Sequence, residues 1–272
     1  MHQYFGDADL QLCYEASSVG FSLQLDLKGR GYHCDVVSPW SIPRRVGKSM
    51  KTDRLDATEL AEFYANGLLT VVTQPDPGVG QDRDLLRSRQ QLIQLQGLLS
   101  RHIGSLLRRD GLHYKAETAR KTHWQTHHYG WLDRTIKGCS GSLRVNLGLL
   151  VRQLKSFDGI LAAYGEEVET LAATGRYRES VTELTCYGGT KNLFELTMIT
   201  EIGDAKRFEH PRQLTSWMEM DIREYASGGK SNRLDVNRRG NRYLRKAFVE
   251  ANQRGYRTTK LSKCFSGQAC DY

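Results

Sequence analysis

Three acidic residues carry the sharpest chemical signal in this chain. Asp53 and Asp56 lie three apart in the string Lys51-Thr52-Asp53-Arg54-Leu55-Asp56-Ala57, a spacing that projects both to one side of a helix. Glu15 closes a short apolar run, LQLCYEA. Together they offer acceptor-only oxygens to hard divalent ions such as Mg2+ or Mn2+. Two-metal phosphoryl transfer needs such a set, because the ions clamp the attacking and leaving oxygens of a phosphodiester. Spacing alone favours a plainer role: Asp53 caps the helix and Asp56 sits in its first turn, where the dipole favours an acid.

A second candidate is Tyr225-Ala226-Ser227-Gly228-Gly229-Lys230. A serine in a glycine-flanked loop exposes its hydroxyl where backbone can approach a phosphate, and Lys230 and Arg233 can stabilise charge there. The same string is also an ordinary turn. No Ser-His-Asp grouping accompanies it, which argues against an acyl-transfer hydrolase. Gly47-Lys48-Ser49 imitates the end of a phosphate-binding loop, but Ile42 stands where that loop needs its first glycine. His123, His127 and His128 have no zinc-like spacing to His113 or Cys139, so packed or solvated histidines are expected.

These residues need elements to hold them. Residues 1–75 alternate between strand and helix. LQLCYEA and the run 33–37 read as strands, 52 to about 64 as a helix with Leu55, Leu60 and Phe63 on its apolar face, and 70–73 as a further strand. That order suggests an α/β layer with a largely parallel sheet. Phe21, Leu23, Leu25 and Leu27 alternate as in a strand, where a crossover helix belongs. The breaker Gln74-Pro75-Asp76-Pro77-Gly78 then changes the period.

Beyond it, Leu85, Leu92, Leu99 and Leu106 fall seven apart. Leu147, Leu150, Leu154, Phe157, Leu161, Tyr164, Val168 and Leu171 keep 3–4 spacing. These are two coiled-coil seams, which either pair with each other as an antiparallel hairpin or join a second subunit. Trp124, His128 and Trp131 read as one helical face between them. After Gly175 short helices and turns are expected.

Charge narrows the partner. Lys and Arg number 39 against 31 Asp and Glu, a net +8 with pI about 9.2, which favours a polyanion. Residues 230–246 hold seven cations, Lys230, Arg233, Arg238, Arg239, Arg242, Arg245 and Lys246, against Asp235 alone. On the helix starting near Asn241, Leu244, Ala247, Phe248 and Ala251 point inward, with Arg242, Tyr243, Arg245 and Lys246 opposite. That face suits phosphate contacts, or is simply solvated. Six scattered cysteines, no secretory signal and no apolar run of about 18 residues fit reduced thiols in a cytoplasm and no membrane span.

CYEASSVGF, KTDRLDATELAEFYANGLL, EIGDAKRF and REYASGGKSNR leading to RRGNRYLRKAFVEA occur in that order, over roughly residues 10–252. The combination resembles the DEDD transposases of the IS-one-ten insertion-sequence family. The resemblance implies an α/β plus all-α chain. Residues 1–78 would form a partial RuvC-like domain of RNase H fold, 79–173 a helical coiled-coil region, 174–255 a small helical C-terminal transposase domain with a serine loop, and 256–272 an irregular tail. It also implies recombination of insertion-element DNA by a homo-oligomer at the nucleoid, with divalent metal and a guide RNA. Glu15, Asp53 and Asp56 match the family's metal-holding acids, and Ser227 its nucleophile.

Three departures stand out. Only fourteen residues precede Glu15, too few for the meander of three strands of about five residues plus turns whose first strand bears the family's first aspartate, and Asp7 and Asp9 cannot occupy that strand. That strand's loss would leave residues 10–16 with an unpaired edge. The Pro-Gly-Ile-Gly turn reads Tyr187-Gly188-Gly189-Thr190, and the glycine-leucine-x-proline before the serine reads Glu219-Met220-Asp221-Ile222. LSKCFSGQACDY lacks an amphipathic period. The expectation is a copy truncated at both ends and catalytically impaired. The alternative is a non-catalytic, nucleic-acid-binding, oligomerising remnant.

Overall fold

The computed structural model describes residues 2–6, 8–39, 42–43, 52–120, 123–185, 192–218, 220, 222–227, 230–236 and 240–258. The Gly47-Lys48-Ser49 string, the 187–190 turn, Glu219, Asp221, Arg238, Arg239 and the tail from 259 lie outside them. Two compact units divide the chain, Met1–Asp76 and Pro77–Tyr272. The first is mixed α/β; the second is mainly helical.

In the first unit a short helix α1 (His2–Phe5) precedes strand β1 (Gln11–Glu15), helix α2 (Ser22–Gly29), strand β2 (His33–Val37) and helix α3 (Asp53–Ala65). β1 and β2 pair in parallel, Cys13 opposite Asp35 and Glu15 opposite Val37. Parallel neighbours require a crossover, so residues 22–29 form α2 in spite of their alternating pattern, leaving Leu23 and Leu25 exposed. Gly31, at φ +85°, closes α2: Tyr32 N–H donates to Leu27 O and Gly31 N–H to Lys28 O. Gln24 is buried, its amide donating to Cys34 O at 2.7 Å.

α3 takes the face carrying Cys13 and Asp35, where Tyr64 Oη donates to Asp35 Oδ2 at 2.7 Å. Asp35 and burial together push that phenol well above its ordinary range, burial being the larger cause. The run expected as a strand at 70–73 contributes one antiparallel bridge, Val71 to Val37, with Ser38 N–H to Thr70 O and Val72 N–H to Val36 O. The chain leaves for the next unit at once, too soon for a ladder. Among the described residues β1 has β2 as its sole ladder partner.

The second unit is built on α4 (Pro77–Arg109) and α7 (Gly141–Ala173), both 33 residues and so about 50 Å long. Between them lie α5 (Tyr114–Thr118) and α6 (Thr126–Gly138). The two apolar seams meet each other within one chain. Ile103, Leu106 and Leu107 pack with Leu147, Val151 and Leu154, while Leu86 packs with Val168 and Ala172, so the helices run antiparallel. Gln96 Nε2 to Asp158 Oδ1 at 2.7 Å fixes the register midway. Trp124 precedes α6, so its face is not helical.

Helices α8 (Arg178–Thr185), α9 (Asn192–Ile202) and α10 (Pro211–Trp217) follow, then strands β3 (Ile222–Ser227) and β4 (Lys230–Val236) and helix α11 (Arg242–Thr258). Tyr177, 1% exposed, roots this end by donating its hydroxyl to Asp82 Oδ2 at 2.6 Å. Its pKa is pushed up to about 12 by burial and by Asp82. β3 and β4 form an antiparallel pair, so the C-terminal region is not purely helical. Two short runs on either side of a Gly-Gly dipeptide were the available signal. Among the described residues no helix is long and apolar enough to cross a membrane.

Candidate functional site

Glu15 ends β1, exposed, on the face it shares with Cys13, Asp35 and α3, because side chains alternate along a strand. Asp53 and Asp56 occupy the first turn of α3. The cap is not Asp53. Thr52 takes that position in extended conformation, its Oγ1 accepting from Leu55 N–H at 3.3 Å. Asp53 is thus not the cap, and helix geometry sets the positions of both aspartates in the first turn. The far end of α3 is closed by Gly67 at φ +66°, with Leu68 N–H to Phe63 O and Gly67 N–H to Tyr64 O.

The three carboxylates suit a hard divalent ion by donor type. They are not gathered into one set: among the described residues, no three His, Cys, Asp or Glu side chains lie close enough to hold a metal. All three belong to unit 1–76, and Ser227 to unit 77–272. Ser227 is the last residue of β3, in register with Lys230, the first of β4. Ser227 thus stands at a strand end. Arg233 lies opposite Glu224 in the same ladder.

The basic helix α11 is anchored through its start. Leu244 is fully buried against Ile202 and Met218, and the Phe248 ring meets Phe194 edge-on at 5.9 Å. Asn241 caps the helix, its Oδ1 accepting from the N–H groups of Tyr243 (3.0 Å) and Leu244 (3.1 Å). Its Nδ2 donates to Glu201 Oε2 at 2.7 Å. Glu201, 5% exposed, also receives a two-pronged Arg87 guanidinium, Nε to Oε1 and Nη2 to Oε2, both 2.7 Å. Burial is the largest single influence on the Arg87 pKa and lowers it, but the hydrogen bond and charge of Glu201, with smaller help from Tyr243 and Asp84, together outweigh it and the net shift is upward. Arg87 further lies 5.0 Å over the Tyr243 ring.

Sequence reasoning missed this network. The asparagine before an apolar-periodic run was its one local signal. The cations of α11 are partly engaged within the chain. Arg242 donates to Gln94 Oε1 at 2.9 Å, Arg245 to Gly240 O at 3.1 Å, and Lys246 pairs with Glu250 at 3.5 Å. Arg242 remains exposed.

The histidine cluster is packed. His128 is 1% exposed, and its Nδ1 accepts from Trp124 N–H at 3.1 Å. Burial first, and His123 second, depress its pKa to about 4. Cys13, Cys34 and Cys139 are free thiols.

Residues 182–266 match the model of the transposase IS116/IS110/IS902 family. The chain is 29% identical to a putative transposase, y4qE, of Sinorhizobium fredii over 92% of its own length and 57% of that protein's. It is 28% identical to the transposase for insertion sequence element IS1533 of Leptospira borgpetersenii (75% of this chain, 58% of the relative). It is 26% identical to the transposase for insertion sequence element IS1111A of Coxiella burnetii (81% and 59%). The chain thus spans somewhat over half the length of these relatives.

Proposed function

We propose that the chain acts as a member of the transposase IS116/IS110/IS902 family, cutting and rejoining insertion-element DNA with Ser227 as nucleophile. The carrying observation is that the matched segment 182–266 contains Ser227, the basic run after it and the anchored helix α11. In the proposed step Ser227 Oγ loses its proton and bonds to the scissile phosphorus. The bond from phosphorus to the leaving sugar oxygen breaks, that oxygen takes up a proton, and a phosphoserine diester remains. A hydroxyl of the receiving strand then displaces the serine, so the count of phosphodiester bonds is conserved. Lys230, Arg233, Arg238, Arg239, Arg242, Arg245 and Lys246 grip nucleic-acid backbone in this reading.

The RuvC-like assignment of the first unit rests on the parallel pair and on the placement of Glu15 and α3. Among the described residues the three carboxylates are not gathered into one set. Magnesium or manganese is proposed to act with Glu15, Asp53 and Asp56, and a divalent arm in the assay measures it. A guide RNA is proposed as the polyanion that accompanies the DNA. Since α4 and α7 consume each other's seams, a second copy would use the outer face of α7, where Val145, Leu149 and Ile160 are exposed opposite Leu147 and Leu154.

The test is strand cleavage on element-end DNA with and without guide RNA and Mg2+, read together with covalent capture. Cleavage and adduct lost in Ser227→Ala with binding retained support the proposal. Cleavage that survives Ser227→Ala but not Asp53→Ala makes water the nucleophile. A second reading, binding and assembly without cleavage, draws on the ungathered carboxylates. Binding unaffected by changes at Glu15, Asp53, Asp56 and Ser227, with no cleavage under any condition, favours it.

A further inference from the structure

The second unit holds a cavity of about 870 Å³ between α4 and the α5–α6 segment. That falls in the range of ligand pockets, roughly 300–1,000 Å³, and the cleavage reading leaves it unused. Tyr114, Trp124, His128 and Trp131 form one wall, with ring centroids 4.5 to 5.6 Å apart. Along α4, Gly97 and Gly104 leave room for two guanidiniums. Arg101 Nη1 lies 3.6 Å from where a Cβ at Gly97 would stand, and Arg108 Nη1 lies 3.5 Å from that at Gly104.

Three observations point to a ligand. Tyr114 is 5% exposed and lines the cavity, yet its hydroxyl has no hydrogen-bond partner, a cost a fold does not retain without reason. Trp124 sits at φ +60°, a left-handed conformation that a bulky residue adopts only under constraint, and His128 holds it there through the bond to its N–H. Arg101 and Arg108 are exposed and form no ion pair among the described residues. Flat rings and guanidinium planes at a wet rim are the surfaces on which unstacked bases lie.

We propose that this cavity binds one unpaired base of a single-stranded nucleic acid, stacked against the Trp124 side and the Arg101–Arg108 planes, with the Tyr114 hydroxyl bonding to the base edge. Lys115 at the same rim meets the adjoining phosphate. The inference rests on the nucleic-acid reading above and names a part of the strand that reading does not.

The experiment titrates the full chain with short single-stranded RNA and DNA oligonucleotides, each intact or carrying one abasic position. Anisotropy gives affinity, and tryptophan fluorescence gives contact with Trp124 and Trp131. The intact strand should bind about ten- to hundredfold tighter than its abasic twin, the worth of one stacked base. The RNA and DNA arms tell which strand supplies it. Tyr114→Phe should reduce that ratio severalfold without lowering thermal stability, since the lost hydroxyl has no partner in the free protein. Gly104→Leu, a better helix former whose Cβ meets only Arg108, should fill the cavity and erase the ratio while phosphate-driven, salt-dependent binding persists. Equal affinity for intact and abasic strands, or a ratio untouched by Gly104→Leu, overturns the inference while leaving the nucleic-acid reading standing. Absence of any binding at low salt overturns both.

Discussion

Glu201→Gln tests what holds the basic helix in place. The Glu201 carboxylate accepts three hydrogen bonds of 2.7 Å, two from Arg87 and one from Asn241. Glutamine keeps the volume but has one acceptor oxygen, so in either orientation its NH2 faces an Arg87 N–H, and in one of them the Asn241 amide as well. Breaking a buried pair costs about 3–5 kcal/mol. The Arg87 side chain retains 34% exposure against 2% for Glu201, so water re-solvates part of the guanidinium and the expectation falls to about 2–3 kcal/mol.

Urea unfolding followed by tryptophan fluorescence reads mainly this unit, because Trp124, Trp131 and Trp217 lie in it and Trp40 alone in the other. With a slope of about 2 kcal/mol/M, the midpoint should drop by about 1–1.5 M. Combining Arg87→Met with Glu201→Gln should recover at least about 1 kcal/mol relative to the sum of the single changes. A midpoint within about 0.3 M of the parent at unchanged slope would refute the reasoning, because Glu201 would then be replaceable by any polar group.

Leu154→Ala, at a fully buried seam position, should cost about 2–5 kcal/mol by the same unfolding measurement, whereas Leu149→Ala on the exposed face of α7 should cost under about 1 kcal/mol. His128 is depressed to about 4 in the folded chain against 6.5 unfolded. Its contribution, up to about 3 kcal/mol, is therefore complete above pH 6.5 and lost as pH falls toward 4. His128→Gln should flatten that part of the stability profile between pH 4 and 6.5. Thr52→Ala, removing the cap of α3, should destabilise the first unit by about 0.5–2 kcal/mol, while Asp53→Asn should cost less than about 1 kcal/mol. Circular dichroism melts of both variants give the comparison.

Features set within a turn or two of chain were legible from residue order alone. The strand at 33–37, the helix beginning after Thr52 and both apolar seams follow from periodicity and from capping chemistry that neighbouring residues supply. The acids of α3 and the inward side of α11, from Leu244 to Phe248, were readable for the same reason. Partner choice was not. Residues 21–27 alternate like a strand, yet the need to join two parallel strands made them a helix. The two seams were equally fit for another subunit, and each instead found the other, because their antiparallel union buries both along some thirty residues. The Arg87–Glu201–Asn241 network joins positions more than 150 residues apart, and no periodicity announces such a bond. Whether Glu15, Asp53 and Asp56 share an ion depends on distances between separate elements. Spacing along the chain carries no information about those distances, so only tertiary packing could decide them.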